Sequence, residues 1–92
     1  MGFEQQKLAS YENMNFEELR KDSVAGPILE KNALEILQTK DKEYFNREFT
    51  GELDEQGYLV RKSDGRALTK PSQNIERYRE DVVEMTRTEL RG

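Results

Sequence analysis

The apolar positions of this chain switch from helical to alternating spacing and back again. Between Ile28 and about Arg47, Leu29, Ala33, Ile36, Leu37 and Tyr44 recur so that, at about 100° per residue, they share an arc of ~100°. Leu34 and Phe45 widen that face, so one helix with more than one neighbour is predicted there. Ahead of it, Asn15 is a good N-cap with Glu18 three residues on, a capping-box arrangement, and Phe16 to Asp22 reads as a short helix showing Phe16 and Leu19 on one side. Between the two helices, Gly26 supplies backbone freedom. Pro27, with its fixed φ and no N–H to lose, starts the longer helix. Lys31 and Glu35 can pair on that helix's outer side.

The alternating stretch is punctuated by two turns of one kind. Asp54-Glu55-Gln56-Gly57 and Lys62-Ser63-Asp64-Gly65 each put Gly at the fourth position, as a type I turn closed by a left-handed residue requires. The flanks Phe49 to Leu53, Tyr58 to Arg61 and Arg66 to Thr69 then form a three-stranded antiparallel meander. Asp54 faces Tyr58 and Lys62 faces Arg66. That register places Leu53, Leu59 and Ala67 on one face and Tyr58, Val60 and Leu68 on the other. Pro71 ends the sheet, and Ser72 or Asn74 caps a last helix in which Ile75, Tyr78, Val82 and Met85 line an ~80° arc. The stripe has the spacing of a short coiled-coil seam, but Glu89 interrupts it, and core packing is its simpler use. The fold class is α+β, helices flanking a small meander in the order α-α-β-β-β-α.

Composition changes this picture in one respect. Leu, Ile, Val and Phe make up only 20 of 92 residues, near the level at which chains fail to fold. The shortage is local: residues 1–27 hold five of them and residues 28–90 hold fifteen. Residues 1–14, with isolated Phe3, Leu8 and Tyr11, therefore read as a mobile or loosely docked arm. Residues 15–92 read as a single small α+β domain.

Charge and chemistry then narrow the function. There is no His and no Cys, which removes imidazole bases, thiol nucleophiles, disulfides and Cys/His metal sites. No Ser-x-x-Lys pairing appears, and Gly57 and Gly65 sit in turns rather than at a helix start, so they do not cradle phosphate. Glu52, Asp54 and Glu55 cluster, with Glu52 and Asp54 about 7 Å apart on one strand face, and this is the remote route to carboxylate or Mg2+ chemistry. A solvated turn explains them better. The expectation is a protein that is not an enzyme and uses no cofactor or metal.

The net charge is −4, yet residues 61–92 carry eight basic and six acidic side chains against seven and thirteen in residues 1–60. Two binding readings follow. In the first, Tyr58, Val60, Arg61, Lys62, Arg66 and Leu68 form a meander face for an unidentified protein partner or a second copy of the chain, because apolar residues with Tyr and Arg are what interfaces favour. The chain is then a regulator, inhibitor or assembly adaptor. In the alternative, Arg61, Lys62, Arg66, Lys70, Arg77 and Arg79 contact nucleic acid while Tyr58 stacks on a base, a reading weakened by the carboxylate excess. No stretch approaches a membrane span and no signal-peptide pattern opens the chain, so a soluble cytoplasmic protein without membrane contact is expected.

Overall fold

The computed structural model of the protein describes residues 11–63 and 68–92, Leu68 by its backbone alone. Residues 1–10 of the expected arm, and Asp64, Gly65, Arg66 and Ala67 of the second turn, lie outside the described residues. Helix α1 (Phe16–Lys21) starts as its sequence directs. The Asn15 side chain accepts the Glu18 N–H and the Glu18 carboxylate accepts the Asn15 N–H, both at 2.9 Å. Leu19 carries the apolar side of this short helix into the core and is fully buried.

Helix α2 (Ala25–Lys40) begins two residues before Pro27, which occupies its first turn, where a missing N–H leaves no hydrogen bond unmade. Leu29, Ala33, Ile36 and Leu37 are all buried, and α2 packs against α1, the C-terminal helix and the segment following the sheet. The broad apolar face thus has several neighbours. Lys31 does not pair with Glu35; its Nζ lies 2.9 Å from Glu89 on the C-terminal helix.

The helix expected to run unbroken to Arg47 stops at Asp41 (φ −126°, ψ 40°) and resumes as α3 (Lys42–Glu48). No Pro or Gly marks the break. In a continuous helix Phe45 would stand roughly 160° around from Leu29, at the far edge of the widened apolar face. The turn at Asp41 brings Phe45 to 6% exposure beside Phe49. The Tyr78 hydroxyl, donating to the Lys40 carbonyl at 3.3 Å, satisfies a helix-end acceptor there, and the Thr39 hydroxyl donates back to the Glu35 carbonyl at 2.8 Å.

The sheet is antiparallel. Strand β1 (Phe49–Leu53) pairs with β2 (Leu59–Arg61), and the two-residue segment β3 (Leu68–Thr69) lies in register with β2. A third strand as long as Arg66–Thr69 is not shown among the described residues. The described pairings Leu53↔Leu59 and Val60↔Leu68 keep the expected register near the turns. Further along, β1 advances from Leu53 to Phe49 while β2 advances only from Leu59 to Arg61, an irregularity that contains Gly51 at φ +92°.

The last helix is shorter than expected. Pro71–Asn74 and Glu76–Tyr78 are 3₁₀ turns, and only Arg79–Arg91 forms helix α4. Neither expected cap is available. The Ser72 hydroxyl and N–H donate to Glu30 at 2.7 and 3.0 Å, and the Asn74 amide donates to the Lys70 carbonyl at 2.9 Å. Ile75 and Val82 of the apolar stripe are buried, with Tyr78 and Met85 packed partly against the same core. The stripe therefore faces inward.

Between α2 and α4 lies a buried polar pair that periodicity does not reveal. Thr86 is fully buried, its hydroxyl donating to the Val82 carbonyl at 2.8 Å and accepting from the Asn32 amide at 3.2 Å. Thr86→Val keeps the shape but leaves the amide of Asn32, itself 1% exposed, short of a partner. The expected loss, read by urea denaturation, is about 1–3 kcal/mol, and Asn32→Leu together with Thr86→Val recovers part of it because both polar groups are then gone.

Candidate functional site

Three pieces of backbone frame an open concavity beside the first hairpin. The first is the α1–α2 corner. The Asp22 carboxylate accepts the N–H groups of Val24 and Ala25 at 2.8 and 2.9 Å, and its carbonyl accepts the Gly26 N–H at 2.8 Å. Asp22 thereby caps α2. Gly26 is helical, so its role is not backbone freedom: a Cβ there would lie 2.7 Å from the Arg20 carbonyl oxygen. The absent side chain lets the end of α1, with Arg20 and Lys21, sit against α2.

The second piece is the tip of the first hairpin. The Asp54 carboxylate accepts the N–H groups of Gln56 and Tyr58 at 3.0 and 2.8 Å, and Gly57 closes the turn at φ +85°. Asp54 is thus a turn organiser. Among the described residues, no group of three or more acidic side chains is placed to hold a metal ion. The third piece is Lys70-Pro71, held by Glu30 on Ser72 and by the Gln73 side-chain oxygen, which accepts the Lys70 N–H at 2.9 Å.

Between these pieces runs a groove of about 520 Å³ whose walls include Arg20, Pro27, Leu34, Leu53, Lys70 and Pro71. It adjoins a second concavity of about 530 Å³ lined by Arg20, Lys21, Tyr58, Lys70 and Gln73, so Arg20 and Lys70 stand on both. Leu53 is 46% exposed although its cross-strand partner Leu59 is fully buried. Lys70 Nζ lies 5.5 Å from the centre of the Tyr58 ring.

Of the residues expected to bind a partner, Tyr58 belongs to this site. Val60 is half-buried on β2. Arg61 lies over the Phe49 ring at 5.4 Å, and Lys62 donates to the Asn46 carbonyl on α3, so both are tied to the far end of the sheet. Arg66 and the Leu68 side chain lie outside the described residues. Of the additional cations in the nucleic-acid reading, Lys70 is at the site. Arg77 lines a separate cleft with Asp41, Glu43 and Arg47, and Arg79 covers the Phe16 ring at 5.0 Å. The described cations of that reading therefore do not form one patch.

Arg20, Lys21 and Leu53 escaped the sequence reading. Arg20 and Lys21 look like ordinary helix-end cations, and only the contact at Gly26 brings them opposite Lys70. A hydrogen bond from Arg91 holds the Glu12 carboxyl below the usual carboxylate range, and one from Lys31 does the same for Glu89. These pairs tie α4 to the segment before α1 and to α2. Among the described residues no helix is long and apolar enough to cross a membrane. Comparison with protein-family models, with curated proteins and with solved structures finds no match for this chain.

Proposed function

We propose that this chain is a small non-catalytic interaction module, a regulator, inhibitor or assembly adaptor, which docks a partner protein on the hairpin side of the α1–α2 corner. The observation that carries the reading is the open groove at which Leu53, a large apolar side chain 46% exposed, meets the cations Arg20 and Lys70. An apolar side chain exposed beside Tyr and Arg has the composition that binding surfaces favour. Tyr58 lines the adjoining concavity just ahead of β2, Val60 follows on that strand, and a full third strand over Arg66 to Thr69 would extend the surface further. The absence of His and Cys and the structural employment of Asp54 leave the described residues little to do catalysis with.

Affinity capture from the native cell, with the parent chain, Leu53→Asp and Tyr58→Ala side by side, tests the reading. Each variant is first shown to be folded by circular dichroism. A protein held by the parent and weakened roughly tenfold or more by either substitution is the expected result. Equal retention by all three, or nothing retained above the bare matrix, overturns it.

A further inference from the structure

The groove also points to the chemistry of what it binds. The chain is anionic overall, with nineteen acidic and fifteen basic side chains, and several of its described cations are already paired. Lys31, Lys40, Arg47, Arg87 and Arg91 each have a carboxylate within 4.0 Å. Lys21 and Lys70 have none among the described residues. Both line the concavity around Tyr58, where the third cation, Arg20, is paired only with Glu17, itself 51% exposed. An exposed pair of that kind contributes little and yields readily to a better-placed carboxylate.

The acidic side chains on the groove are occupied. Glu30 has both oxygens on Ser72, and Asp22 caps α2. What remains outward is an apolar floor with three cations along one side.

We propose that the groove takes an acidic peptide segment of the partner, one apolar side chain seated among Leu34, Leu53 and Pro71 and neighbouring carboxylates on Arg20, Lys21 and Lys70. This rests on the reading of the chain as an interaction module and specifies its ligand. Charge complementarity selects the occupant: a basic segment would meet unpaired cations, and a neutral one would leave them unanswered. Nucleic acid is disfavoured because a phosphate backbone needs a continued cationic track, and beyond these three residues most of the described cations are tied to other partners. The volume of the groove suits one large side chain with its neighbours rather than a flat contact.

Fluorescence anisotropy on the full chain tests the proposal, using labelled short peptides in which Glu and Asp flank a single Leu or Phe. Three comparison probes are the same peptides with Lys for the acids, the same peptides with Ser for the apolar residue, and a single-stranded RNA of similar length. The acidic-apolar peptides are expected to bind roughly tenfold or more tightly than every comparison probe. Lys70→Glu and Lys21→Glu each weaken that binding roughly tenfold, Lys70→Arg retains it, and Lys42→Glu, the same charge change on α3 away from the groove, leaves it unaltered. Circular dichroism confirms that each variant is folded.

Peptides bound no better than their Lys counterparts, RNA bound more tightly, or equal effects of Lys70→Glu and Lys42→Glu would overturn the proposal. A captured partner that depends on Leu53 and Tyr58 yet docks a basic or uncharged segment would overturn it too, while leaving the interaction module standing.

Discussion

Phe49→Ala is expected to lower the free energy of unfolding by about 3–5 kcal/mol, the largest loss from any single side chain considered in this protein. Phe49 is 1% exposed and stands where α3 passes into β1. Its ring meets Tyr44 edge-on at 5.8 Å and Phe45 at 5.7 Å, and Arg61 covers it at 5.4 Å. Truncation would remove the buried ring area and three neighbours' contacts at once and leave a cavity among the packed rings. Domains of this size have about 5–15 kcal/mol in total, and each kcal/mol moves the melting temperature by roughly 4–8 °C. Phe49→Ala is therefore expected to melt tens of degrees lower or to show no cooperative transition, whereas Phe49→Leu, which keeps most of the volume, costs about 1 kcal/mol. A loss below 1 kcal/mol for the alanine variant in urea denaturation would mean that the ring cluster is not the joint between helices and sheet.

Phe49 also shows where sequence reasoning ran short. Elements governed by neighbours in the chain were legible. The Asn15–Glu18 capping box, the turn at Gly57 and the register Leu53↔Leu59 follow from local hydrogen bonding and backbone sterics, and each is present. Elements governed by distant packing were not. Past the break at Asp41, Phe45 packs on Phe49, and Ser72, an expected cap of the last helix, is held instead by Glu30, 42 residues away. The Glu30 contact leaves no mark near Ser72 in the chain, and the Phe45–Phe49 contact, although the two rings are close in sequence, is announced by no Pro or Gly at Asp41. The site divides the same way. Tyr58 was visible as a residue of the predicted meander and Lys70 as a cation just past its end, while Arg20 and Lys21 become neighbours of that pair only through the corner at Gly26.

That corner yields the second large effect, and its sign is opposite to what propensity alone gives. Within a helix, Gly→Ala ordinarily stabilises by about 1 kcal/mol, since alanine loses less backbone freedom on folding. At Gly26 the new methyl would fall 2.7 Å from the carbonyl oxygen of Arg20, a backbone atom that no rotamer change can move. Either α1 shifts as a body or the start of α2 distorts, so Gly26→Ala is expected to destabilise by about 1–3 kcal/mol in urea denaturation, with Gly26→Val costing more. Gln38→Ala, on the exposed side of α2, controls for propensity and is expected to be near neutral. Displacing α1 also moves Arg20 and Lys21 away from Lys70, so the folded fraction of Gly26→Ala is expected to bind acidic-apolar peptides less well than the parent although no contacting side chain has changed. A stabilised Gly26→Ala would show that α1 and α2 are farther apart than this contact. A destabilised variant that binds at full strength would show that the cations of α1 do not need their present position. The two measurements thus separate what Gly26 does for the fold from what it does for the site.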